Sequence, residues 1–123
     1  NICSNVQLCA LRAIIYLSLV GREGFQEVGR DCMDRASYAW HKLTKIPGVT
    51  PAFNRRFFNE FALRLPKDAS DVVSALVDQG IAAGFPVGRY YKGMENVLLL
   101  SFTEKRTKEE IDILLAKLES VLA

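Results

Sequence analysis

Two charged clusters hold the residues of this chain best placed to do chemistry: Arg89-Tyr90-Tyr91 and Glu104-Lys105-Arg106. Lys105 and Arg106 stand just before the start of a helix pattern, where free backbone amides and the helix dipole already favour an anion. That place suits a carboxylate or a phosphate; the alternative is a solvated turn whose exposed ion pairs contribute little. Between the clusters and the preceding helix lies Gly84-Phe85-Pro86-Val87-Gly88, which has neither the GxGxxG nor the GKS/T pattern, so no nucleotide-binding claim follows. It reads as a tight turn into a strand, or as a loop that lets backbone approach a ligand closely. His41 is the only histidine. Without a second one a metal has no ready ligand set, and nothing nearby looks like a nucleophile elbow, so His41 reads as a surface residue. Cys3, Cys9 and Cys32 form no CxxC; an odd count of this kind favours reduced thiols in a cytosolic setting and small core residues.

The elements that must position these residues follow from hydrophobic spacing. Asn5 to Val20 reads as a helix that is apolar nearly all round, ended by Gly21 with Gly24 in the turn. Such a helix is normally buried, so its cover is expected from the rest of a larger parent chain. Phe25 to Lys45 reads as a second helix with Val28, Cys32, Ala36, Ala39 and Leu43 inward, ended by Pro47-Gly48. Val49 to Phe53 reads as a short strand. Phe57 to Leu65 alternates, with Phe61, Leu63 and Leu65 on one face, and reads as a half-buried strand stopped by Pro66. Asp68 or Ser70 caps a third helix, Asp71 to Gln79, with Val72, Val73, Leu76 and Val77 inward. Ile81 to Tyr91 is a loop or broken strand. Val97 to Phe102 is apolar on both faces and reads as a central strand. Thr107-Lys108-Glu109-Glu110 is a capping box that opens an amphipathic helix running through Ile111, Leu114, Leu115, Leu118 and Leu122.

That order predicts an α+β, two-layer sandwich: a small, mostly antiparallel sheet covered on one face by helices. The 123 residues suffice for one domain with a core, and 50% hydrophobic with 24% charged residues indicates a globular chain. A formal charge of +2 without a basic run gives no reason to expect nucleic acid. The most apolar run, Leu8 to Val20, is too short to span a bilayer and contains Arg12, so no membrane is expected. The chain opens on Asn1 and not on methionine, which predicts a fragment of a longer protein.

Several motifs are more specific than this patterning. Asn1-Ile2-Cys3-Ser4-Asn5-Val6-Gln7-Leu8-Cys9-Ala10, Ile46-Pro47-Gly48-Val49, Phe57-Phe58-Asn59-Glu60-Phe61, Gly84 through Tyr91 and Thr103-Glu104-Lys105-Arg106-Thr107 lie in order along essentially the whole chain. Together they resemble the subunit 1 family of glycine dehydrogenase (decarboxylating), the amino-terminal half of the glycine cleavage system P-protein. The resemblance implies a fold type I pyridoxal-phosphate enzyme. Residues 1–22 would be the end of the large domain with a linking helix, and residues 23–123 the C-terminal small domain. It further implies a bacterial cytoplasmic heterotetramer that decarboxylates glycine and passes the aminomethyl group to the lipoyl arm of H-protein, with the cofactor lysine on subunit 2. The cofactor stabilises the carbanion formed on decarboxylation, while protein supplies orientation and electrostatics. In that family the partner's lysine follows a histidine and precedes a glycine-rich run. Here His41-Lys42 is followed by Leu43-Thr44-Lys45 inside a helix, so the role does not carry over, and no catalytic or cofactor-binding residue is expected in this chain. Arg89, Glu104 and Arg106 are the expected contributors at the mouth of the site. A stand-alone small-ligand-binding module and a purely structural interface domain are the alternatives; the uncovered first helix counts against the former.

Overall fold

A computed structural model describes residues 5–123; the expectations for Asn1 to Ser4, Cys3 included, lie outside the described residues. Three α-helices, α1 (Val6–Leu43), α2 (Ala69–Val77) and α3 (Lys108–Leu122), combine with four short strands, β1 (Thr50–Pro51), β2 (Glu60–Arg64), β3 (Phe85–Pro86) and β4 (Val97–Ser101). The strands form one fully antiparallel sheet in the order β1-β2-β4-β3. In the register Phe61↔Leu100 and Leu63↔Leu98 the paired residues share a face. That face and the helices enclose a core in which Leu43, Leu63, Leu76, Leu98, Leu100 and Leu118 are fully buried. The α+β architecture, a small antiparallel sheet with helices on one face, is therefore as expected.

Each end of the β2–β4 ladder is closed by backbone and side chain together. Leu65 N donates to Asn96 O (2.8 Å), Asn96 Nδ2 donates back to Leu65 O (3.1 Å), and Arg64 Nη1 donates to Asn96 Oδ1 (2.8 Å). At the other end Phe102 N donates to Asn59 O (2.9 Å). An aromatic cluster extends from here to α1: Trp40, Phe57 and Phe61 lie with ring centroids 5.1–5.2 Å apart, and Phe61 stacks on Phe102 at 5.7 Å. Offset and edge contacts at such distances favour packing beyond the buried area alone.

Several expectations are corrected. Gly21 ends the first helical run as expected, with a non-helical φ of 66° and ψ of −175°, but helix resumes directly after it within α1, so Gly24 is helical rather than in a turn. Phe57 and Phe58 precede β2 instead of opening it, because the strand begins only where β4 supplies a partner. Helix α2 starts at Ala69, capped by Asp68, whose carboxylate accepts from Ser70 N at 2.7 Å. Val77 is exposed, because it falls about 140° round from the inward Val72 and 100° from Leu76. The loop or broken strand expected over Ile81 to Tyr91 is borne out, as β3 followed by a 3-10 turn over Val87–Arg89. Gly84 is required here: a Cβ would collide with the Leu99 carbonyl of β4. Cys9 is exposed in this chain, as is all of α1 before Val20, so it is not a core residue of the described structure; Cys32 is.

Candidate functional site

The three residues expected at a site do not converge. Glu104 and Arg106 follow the carboxyl end of β4, whereas Arg89 ends the 3-10 turn beside the amino end of that strand. Arg89 is exposed and borders an open cavity of about 390 Å³ shared with Asp68, Ser70, Gly88 and Glu95. Two carboxylates on that rim offset its charge, so the field there is mixed. The Glu95 carboxyl is held below its usual range chiefly by the Gly93 amide, which donates to it at 2.9 Å. Gly88 lets this turn close, since a Cβ would sit 2.5 Å from Glu95 Cα.

Glu104 turns inward. The Cys32 Sγ of α1 donates to its Oε2 at 3.4 Å. Burial raises the pKa of the Cys32 thiol, and Glu104 modulates it; a raised thiol is a poor nucleophile. Arg106 Nη1 stands 3.5 Å from Glu110 Oε1, with both side chains about half exposed (53% and 48%). Such a pair is readily exchanged for another anion. The capping box forms as the sequence predicts: Thr107 N donates to Glu110 Oε2 (2.9 Å) and Glu110 N donates to Thr107 Oγ1 (3.2 Å). Two of the amides that would attract an anion are thereby already satisfied.

Arg106 and Glu110 rim an open cleft of about 430 Å³ between the Gly80–Ala83 segment and α3, floored by Phe102, Ile111 and Leu114. An apolar floor with one exchangeable guanidinium suits a group that is apolar at one end and carboxylate-bearing at the other. One long-range contact was not visible in the sequence. Tyr38 Oη donates to Asp112 Oδ1 at 2.6 Å, tying α1 to α3, and this bond pushes the phenol up to about 12. Lys42 and Lys108 Nζ lie 5.5 and 5.3 Å from the Tyr38 ring centroid.

The residues present do not fit a pyridoxal-phosphate site. A Schiff-base lysine needs a desolvated amine at an enclosed cleft. No charged residue is buried among the described residues. Lys42 and Lys108 stand over Tyr38, while Lys67 and Lys117 donate to the Val121 and Gln79 carbonyls at 2.7 and 3.0 Å. His41 is exposed on α1, and no group of three His, Cys, Asp or Glu gathers in a metal-holding arrangement among the described residues. No helix among them is long and apolar enough to cross a membrane.

A helix-covered short antiparallel sheet of this kind recurs within longer solved chains. The cystine C–S lyase C-DES, solved with glycine covalently linked to its PLP cofactor, matches 76% of this chain and 24% of its own at a TM-score of 0.65; at 18% identity this shows the fold alone. The chain belongs to the glycine cleavage system P-protein family, whose family model matches residues 1–118. It is 50% identical over 123 residues to the probable glycine dehydrogenase (decarboxylating) subunit 1 of Moorella thermoacetica, covering all of this chain and 28% of that protein. A similar relative from Geotalea daltonii is 50% identical over 122 residues. The crystal structure of a glycine decarboxylase (P-protein) of the glycine cleavage system, in inhibitor-bound form, superimposes at a TM-score of 0.87 with 38% identity, covering 97% of this chain and 27% of that one. This chain thus spans about 28% of the length of the curated relatives it matches, as a domain fragment does.

Proposed function

We propose that this chain is the small domain, with its linking helix, of subunit 1 of a two-subunit glycine dehydrogenase. Residues 1–22 end the large domain and residues 23–123 form the C-terminal small domain. The parent is a bacterial cytoplasmic heterotetramer that decarboxylates glycine and hands the aminomethyl group to the lipoyl group of H-protein. Pyridoxal phosphate supplies the electron sink for that reaction, bound through a lysine of subunit 2. The observation that carries the reading is the family match along essentially the whole chain, at 50% identity over 123 residues to a subunit 1.

In this reading the domain does no chemistry alone and shapes the mouth of a site whose cofactor lies elsewhere. Arg106 is the residue best placed for that role, because its ion pair is half exposed at the rim of an open cleft. Glu104 supports the same turn through Cys32, and Arg89 serves a separate surface. In the assembled two-subunit enzyme, Arg106→Ala raises the KM for glycine or for H-protein by about 1.5- to fivefold, the range set by losing one exposed charged contact. Unchanged kinetics for both would remove Arg106 from the site. A purely structural role is favoured by one observation, that Glu104 and Arg106 already have partners within this chain.

A further inference from the structure

The first half of α1 is unlike the other helices of the described structure: every residue from Val6 to Leu19 is exposed. Six of the large apolar ones are Val6, Leu8, Leu11, Ile14, Tyr16 and Leu19, from 46% to 82% exposed. At about 100° per residue they fall around the whole circumference, with no gap wider than about 80°. Arg12 is the one charged residue between Val6 and Val20. A helix laid against a flat surface needs one apolar stripe; this one has no polar side to leave in water.

The joint below it is specified twice. Gly21, at φ 66° and ψ −175°, occupies backbone space essentially restricted to glycine. Gly24 gives room to the preceding turn, since a Cβ there would meet Val20 Cγ1 at 2.9 Å. The two glycines turn the apolar helix away from the axis of the remaining α1, which packs in this domain through Cys32, Ala36, Ala39 and Leu43.

We infer that Val6–Val20 is threaded into the large domain of the parent polypeptide and enclosed by it on every side. This rests on the reading that residues 1–22 belong to that domain. The occupant follows from size and shape. The relatives are more than three times as long as this chain, which covers 28% of them, so a body large enough to surround a helix is available in the same polypeptide. A second copy of the helix would cover one stripe and leave the rest wet. Arg12 then meets a carboxylate of the enclosing domain or reaches water at its edge, because an unpaired buried guanidinium is too costly.

The test is hydroxyl-radical footprinting, read by mass spectrometry, on the unsubstituted full-length subunit, on the 123-residue chain and on the urea-unfolded subunit. Leu8, Ile14, Tyr16 and Leu17 report four directions around the helix, with no gap between them wider than about 120°. In the full-length subunit all four are expected to oxidise at least about tenfold slower than in urea, whereas in the 123-residue chain they approach the unfolded rate. If one direction stays at the unfolded rate in the full-length subunit, the helix lies on a surface and the enclosure is wrong. If all four stay there, residues 1–22 are no part of the large domain and the reading beneath the inference fails with it.

Discussion

Two side-chain hydrogen bonds link α1 to the far end of the described chain, Tyr38–Asp112 and Cys32–Glu104, and each makes a measurable prediction. The Tyr38 phenol stands at about 12 because Asp112 accepts its proton's hydrogen bond, against an ordinary value near 10 in the unfolded chain. The unfolded chain therefore gives up that proton first as the pH rises. The bond's contribution is complete below about pH 10 and drains away between about pH 10 and 12. Tyr38→Phe should lower the Tm at neutral pH, and the gap from wild type should close across that window; a gap constant to pH 12 would contradict the bond. Cys32 behaves oppositely to Cys9. Burial raises the Cys32 thiol and walls it off, while Cys9 is exposed in this chain. Iodoacetamide at pH 8 should label Cys9 in the folded 123-residue chain and reach Cys32 only on unfolding, as peptide mass mapping would show. That Cys32 is a core residue was legible from its place on an apolar stripe. Its partner Glu104 was not, because a contact between residues 72 apart leaves no local pattern.

At the scale of elements, the parts with strong local chemistry match their sequence reading closely, and the parts without it match in type but not in bounds. The capping box at Thr107 and Glu110 and the alternation of Phe61, Leu63 and Leu65 are local signals, and both are realised. Thr107→Ala should cost about 1 kcal/mol of stability, read as a lower urea midpoint at unchanged slope. Strands β1 and β3 are two residues each and carry no period; their pairing is decided by β2 and β4. Gly84 shows how such a strand is specified. Gly84→Ala places a methyl against the Leu99 carbonyl, so it should destabilise the domain by about 1–3 kcal/mol and speed amide exchange along the β3–β4 edge ahead of the β2–β4 ladder. Equal protection of both edges in that variant would contradict the account. The break at Gly21 was legible as a helix end; the immediate resumption of helix was not, because the φ that ends one helix can also redirect it without a turn.

The whole molecule divides its apolar residues between two destinations. One set, from Cys32 onward, fills a core between three helices and one sheet face. The other lies on α1 before Gly21 and finds no cover among the described residues. That division fits the proposal that the chain is one domain of a longer subunit. The candidate residues were legible as types and as neighbours of element ends. Their separation to opposite ends of β4 was not, because the antiparallel order β1-β2-β4-β3 brings Val87–Arg89 back beside the start of the strand that Glu104 and Arg106 follow. The central claim is that these 123 residues are interchangeable with the corresponding piece of a glycine dehydrogenase subunit 1. The direct test grafts them in place of the matching 28% of the Moorella thermoacetica subunit, with which they share 50% identity, and assembles the chimera with subunit 2 and H-protein. Release of carbon dioxide from carboxyl-labelled glycine is then measured. The account predicts a soluble, assembled chimera whose turnover lies within about tenfold of the parent, since a shared fold tolerates many simultaneous hydrophobic substitutions when volume and patterning are kept. A chimera that folds and assembles yet releases no carbon dioxide above the level of subunit 2 alone would contradict it.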